Sequence, residues 1–126
     1  MGIRQSVNLG FGLSRLVFGI VASAVPERVG STWIGEKDAS RDTVKTVFRA
    51  LGFRDIALGF GMTEAALRDQ AGPWLTVAML SDLGDFSATM IARDHLDSKS
   101  VLITGFLTAS ATVAAAALLA VDRTVD

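Results

Sequence analysis

The stretch SVLITGFLTASATVAAAALLAV (Ser100–Val121) decides the reading of this chain. It runs 22 residues without a charge and is rich in Ala, Leu, Val and Thr. A run of 18 or more uncharged, mostly apolar residues reads as a transmembrane helix, since about 20 residues at 1.5 Å each cross the hydrocarbon of a bilayer. Three more apolar blocks stand before it. They are Val7–Pro26 (VNLGFGLSRLVFGIVASAVP), Thr46–Leu67 (TVFRALGFRDIALGFGMTEAAL) and Trp74–Ala92 (WLTVAMLSDLGDFSATMIA). Blocks of near-equal, bilayer-matched length are unusual in a soluble bundle, whose helices scatter around 10–14 residues. The expected fold is all-α: an integral membrane, up-down four-helix bundle, one domain over residues 1–126, with helices at about 7–26, 46–67, 74–92 and 100–121.

Composition excludes several functions. The chain has 126 residues, 50% hydrophobic and 20% charged, with a mean hydropathy of +0.43. That is too apolar for a disordered chain. Twelve basic against thirteen acidic residues give a net charge of −1, without the basic excess of a nucleic-acid binder. There is no Cys and only one His, which removes disulfides, thiol catalysis, Cys-ligated zinc and iron–sulfur clusters. No cofactor and no metal is expected.

The connectors suit a bundle. Glu27–Lys45 is polar, with a helix cap expected at Asp38 or Ser40. Arg68–Pro73 is a short turn, and Pro73 suits the first turn of the next helix. Arg93–Lys99 is short and charged, and His95 within it is expected in solvent. Short connectors make successive helices antiparallel neighbours. Trp33 and Trp74 lie in or beside connectors, where interfacial tryptophans anchor helices. Arg28, Lys37, Arg41, Arg93 and Lys99 share one side, against Arg4, Arg68 and Arg123 on the other. By the positive-inside rule the first group faces the cytoplasm. Ala22-Ser23-Ala24 resembles a cleavage motif, but the block beginning at Val7 is longer than a signal core and holds Arg15, so it is expected to stay as a span.

The informative residues are the charges inside the blocks: Arg15, Arg54, Asp55, Asp82 and Asp85. Each costs about 2.5–3.5 kcal/mol near a helix centre, so five unpaired would cost on the order of 12–18 kcal/mol. They must face the bundle interior and find each other. Counted from the Glu27–Lys45 side, all five fall within a layer of about 6 Å, with net charge −1. Gly12, Arg15 and Gly19 share one helix face at i, i+3 and i+7, extended by Asn8 and Ser23. Gly52, Asp55 and Gly59 repeat the spacing. Small residues beside a charge let two backbones approach closely, so Arg15 is expected to pair with Asp55 where the two stripes meet. Arg54 points about 100° away, toward the third helix, where Asp82, Asp85 and Thr89 share a face. The stretches Leu9–Gly19 and Ala50–Gly61 also look like a faint repeat. Buried Arg–Asp pairs fix register and helix order, and intramembrane carboxylates also carry protons. Both readings stay open. Asp82 and Asp85 at i, i+3 are a weak metal signal. Gly59-Phe60-Gly61 lies within a helix and is no phosphate loop.

The chain resembles small four-helix actinobacterial membrane proteins of unknown function. The matching residues are Arg15-Leu16…Gly19…Pro26, then Leu51-Gly52-Phe53-Arg54-Asp55-Ile56-Ala57-Leu58-Gly59, then Trp74 and Asp82–Asp85. In these it is similar to DUF4267-type proteins and, more distantly, to DoxX-like four-helix proteins. The resemblance covers about Gly12 to Ala92 and implies a multi-pass bundle in the cytoplasmic (inner) membrane, with no established activity to carry over. The leading expectation is a non-enzymatic accessory or structural subunit whose partners are the lipid bilayer and a membrane protein or a second copy of itself. The alternatives are a small proton, ion or solute carrier using the intramembrane carboxylates, a lipid- or quinone-associated membrane enzyme, and a soluble helical ligand-binding domain.

Overall fold

The structure, a computed structural model, describes residues 1–125. Those residues form helices and no strand. Helix α1 (Ile3–Ala24) is entered from an extended Gly2 and closes at Val25, whose φ of −129° and ψ of 60° leave the helical region. Proline disfavours the helical conformation in the residue before it, so Pro26 stops α1 and then seeds α2 (Pro26–Ile34) in its own first turn. Gly35, at φ 100°, breaks α2 with a backbone conformation that side chains resist. A single turn, α3 (Glu36–Ala39), leads into α4 (Asp42–Leu67).

The second half is a pair of hairpins. Asp69 at φ 58° reverses the chain after α4, and the Gln70 and Asp69 amides donate to the Ala65 and Ala66 carbonyls at 2.8 and 3.1 Å. A left-handed residue satisfying the last carbonyls is a common way to end a helix. Helix α5 (Gly72–Ala92) carries Pro73 in its first turn, as expected. After a 3₁₀ turn at Arg93–His95, α6 (Ser98–Val125) follows. The Asp97 carboxylate caps it by accepting the Ser100 amide at 3.2 Å.

The connector after α1 differs from expectation. Residues 27–45 are no open loop, since α2 and α3 occupy most of them. The residue preceding α4 is Arg41, with no side-chain cap, in place of Asp38 or Ser40. The cause is apolar. Gly30 seats on the Phe48 ring, Ala39 is buried, and Trp33 meets Phe48 edge-on with centroids 5.7 Å apart. Trp33 therefore packs inward, as does Trp74, whose ring fills the space that Gly61 leaves empty. The other helices run longer than the apolar blocks: α4 starts at Asp42 and α6 continues past Asp122.

Four long helices pack side by side. α1 lies against α4 and α5 against α6, α4 and α5 touch, and the α1–α6 seam is loose. Met62, Leu75, Ala78 and Leu119 form an apolar core near the α4–α5 turn. Three helical stretches, Ile3–Ala24, Gly72–His95 and Ser98–Thr124, are long and apolar enough to cross a membrane. α4 has the length, at 26 residues, but carries Arg54, Asp55 and Glu64. All four present large apolar side chains outward: Val17 is 59% exposed, Phe53 63%, Leu80 58% and Phe106 71%. Exposed apolar side chains in this number are what a membrane-facing or protein-binding surface carries.

Candidate functional site

The site begins with two glycine stripes. A Cβ added at Gly19 would stand 2.5 Å from the Ile56 nitrogen and 2.6 Å from the Gly52 carbonyl, and one at Gly52 2.5 Å from the Ser23 nitrogen. Gly59 lies equally close to the backbone of Leu16 and Gly12, and Gly12 lies against Met62 and Thr63. Position numbers rise along α1 as they fall along α4, so the pair is antiparallel. Backbone contact this close leaves no room for side chains between the helices. The residues set between the glycines, Arg15 and Asp55, are thereby brought together.

Arg15 donates from Nη1 to Asp55 Oδ1 at 2.5 Å and from Nη2 to Asp82 Oδ2. Arg54 grips Asp85 with a two-pronged fork, Nη1 to Oδ1 at 2.9 Å and Nη2 to Oδ2 at 2.7 Å. Its Nη2 also reaches Asp55 Oδ2 at 3.1 Å. The five charges form one alternating chain, Asp82–Arg15–Asp55–Arg54–Asp85, across three helices. It grades from the interior outward: Asp55 is 2% exposed and Asp82 6%, whereas the Arg54 side chain is 35% exposed. Arg15 also stacks 5.8 Å from the Phe11 ring centre. Fork-shaped, charge-assisted bonds are the strong geometry for such pairs. Two links were not suggested by the spacing: Arg54 to its neighbour Asp55, and Arg15 to Asp82, which ties α1 to α5.

A second polar layer braces the network. Thr89 donates its hydroxyl to the Asp85 carbonyl at 2.8 Å and accepts the Trp33 indole N–H at 3.0 Å. This fastens α2 to α5. On the other side of Arg15, Asn8 is 1% exposed, and its Oδ1 has no hydrogen-bond partner among the described residues. The Thr63 hydroxyl is in the same state.

Beside the network lies a cavity of about 580 Å³ between α1, α2 and α6. Arg15, Asp55, Asp82 and Asp85 form its polar wall, and Phe11, Phe18, Leu107 and Ala111 are among its apolar lining. Thr104 and Thr108, buried on α6, complete the wall.

Sequence reasoning missed two features. At the α4–α5 turn, Arg4 pairs with Asp69 at 2.6 Å and with the buried Asp122. Arg4 reads as an orientation charge and Asp122 falls just past the last apolar block, so nothing links them before the fold is known. The Ser100, Thr104, Thr108 stripe, all buried, was visible at i, i+4 and i+8 but is hidden by the block's overall apolarity. His95 is exposed, as is Glu64, which pairs with Arg68 at 2.6 Å. Among the described residues no group of three or more His, Cys, Asp or Glu is placed to hold a metal ion. No known family model, curated protein or solved structure matches this chain.

Proposed function

We propose that the chain is a multi-pass four-helix bundle of the cytoplasmic membrane and serves as a non-enzymatic accessory or structural subunit. The observation that carries the reading is an inversion of the usual protein pattern. The ionic side chains Arg15, Asp55 and Asp82 are among the most buried groups, while Phe53, Phe60 and Phe106 face outward. In lipid such charges must turn inward and pair, and apolar side chains have no reason to. α4, too charged to cross alone, crosses in this reading because its partners neutralise it. The pairing of every acid in the chain Asp82–Arg15–Asp55–Arg54–Asp85 with an arginine supports a lock that fixes helix order. The apolar exterior of α6 is the surface offered to lipid or to a partner helix. The family resemblance at Gly52–Gly59 points to the same membrane setting.

The test is expression with an affinity tag, carbonate washing of membranes and native mass analysis after mild detergent extraction. Carbonate-resistant recovery with a stoichiometric partner or as a defined homo-oligomer is the expected result. Recovery from the soluble fraction overturns the proposal.

A second reading, a proton or ion carrier, is favoured by one observation. Arg4, Asn8 and Arg15 stand one and then two turns apart along α1, and among the described residues Asn8 Oδ1 and the Thr63 hydroxyl, between the two charge clusters, have no partner. Flux into liposomes that falls on Asp82→Asn, with the fold retained, would move the assignment to this reading.

A further inference from the structure

The cavity beside the charge chain has a shape and a charge that the accessory role does not use. Its volume, about 580 Å³, lies within the range of small-molecule sites. Its entrance is lateral. α1 and α6 touch far less than α1 and α4 or α5 and α6, and Phe18 and Leu107 line the cavity while remaining 38% and 57% exposed. On the membrane reading proposed above, on which this inference rests, a molecule dissolved in the bilayer reaches it without entering water. The roof is α2, whose Trp33 and Thr32 line the cavity.

The polar wall is not electrically balanced. The ionic chain that supplies it sets two arginines, Arg15 on the wall and Arg54 outside it, against three carboxylates, Asp55, Asp82 and Asp85. Asp55 and Asp85 each use both oxygens on arginines. Asp82 uses only Oδ2, and its Oδ1 has no partner among the described residues. Asp82 is 6% exposed and lines the cavity. The remaining charged residue at the cavity is Arg28, exposed on α2 at the rim and on the connector side, where water and headgroups screen it. The buried wall therefore offers one excess negative charge with a free acceptor oxygen, in an apolar chamber that also holds the rings of Phe11, Phe18 and Trp33.

We propose that this cavity binds a lipophilic organic monocation taken from the bilayer, its charged centre against Asp82 and its apolar body between Phe18, Leu107 and Ala111. The site neutralises the cation at Asp82, and the aromatic faces add attraction for a weakly hydrated positive charge. A lipophilic anion would meet the same wall with repulsion.

The probe is tetraphenylphosphonium, with tetraphenylborate as an anion of matching shape. Equilibrium dialysis uses the purified protein in a non-ionic detergent, with empty micelles subtracted. The expected result is saturable binding at one cation per chain, weakened about tenfold or more by Asp82→Asn, with tetraphenylborate competing at least about tenfold less well. Ala111→Trp fills the cavity and leaves every member of the ionic chain in place. It is expected to abolish binding with an unchanged melting temperature, and it decides the matter should Asp82→Asn fail to fold. Non-saturable uptake by the folded protein, equal binding of the borate, or full binding by folded Asp82→Asn or Ala111→Trp overturns the proposal. The outcome is independent of whether the chain has a subunit partner.

Discussion

Removing Arg15 is the most severe single change the structure allows. Among the described residues Arg15 is the only ionic partner of Asp82 and one of two ionic partners of Asp55. With Arg15→Ala, carboxylates that are 2% and 6% exposed are left facing one another, and the buried chain goes from one excess negative charge to two. Stripping one member from a buried ion pair costs about 3–5 kcal/mol, chiefly because the abandoned charge stays buried. The lost stacking on Phe11 and the void left by the side chain act in the same direction. The unfolding equilibrium should shift by about two to three and a half orders of magnitude. The assay is reversible unfolding of the purified protein in mixed micelles, titrated with a denaturing detergent and followed by circular dichroism. A double-mutant cycle with Asp82→Asn isolates the pair, because the second substitution removes one of the stranded charges. The triple change Arg15→Met, Asp55→Leu, Asp82→Leu should recover much of the loss, since an apolar replacement strands only what Arg54 had shared. An Arg15→Ala protein as stable as the parent would refute the charge-lock argument outright.

Other expectations follow from individual contacts. Gly59→Ala should destabilise the α1–α4 pair, because its Cβ would overlap the Leu16 backbone, whereas Gly10→Ala, with nothing within 4 Å, should be neutral or gain up to about 1 kcal/mol of helix propensity; the two melting curves check this. Arg4→Ala strands one buried carboxylate, Asp122, beside the half-exposed Asp69, whereas Arg15→Ala strands two, and the Arg4 side chain is itself 22% exposed, so its loss in the same unfolding assay should be smaller than that of Arg15→Ala. Trp33→Phe keeps an aromatic ring beside Phe48 and removes the bond to Thr89, for a loss of about 1 kcal/mol that Thr89→Val should not add to.

Much of the helical layout can be read from apolar length alone, because helix existence follows from where hydrophobic residues run continuously. The ends cannot, since they are set by local chemistry. Pro26 belongs to the helix after the turn, and α4 begins in charged residues that carry no apolar signal. The glycine stripes and the five charges were legible for a stricter reason. A charge flanked by glycines at helical spacing inside an apolar block has few places to go, and Arg15, Asp55 and Asp82 are found in contact. What spacing could not supply is rotation between helices, which decides that Arg15 bridges two acids and that Asp82 keeps an oxygen free. The Arg4–Asp122 pair spans nearly the whole chain, and no local pattern connects its members.

In the proposed reading lipid covers the apolar exterior and the chain crosses four times. The absence of cysteine makes one measurement clean: single-cysteine variants Lys37→Cys, Gln70→Cys, Asp94→Cys and Phe106→Cys, reacted with a membrane-impermeant maleimide in intact cells and after permeabilisation. Lys37 and Asp94 flank the network side, Gln70 lies at the α4–α5 turn, and Phe106 is 71% exposed on α6. Four crossings predict that Gln70→Cys labels in intact cells, that Lys37→Cys and Asp94→Cys label only after permeabilisation, and that Phe106→Cys stays unreactive in both despite its open position. Labelling of Phe106→Cys as fast as Gln70→Cys, or of all three connector sites from the same side, would contradict the account.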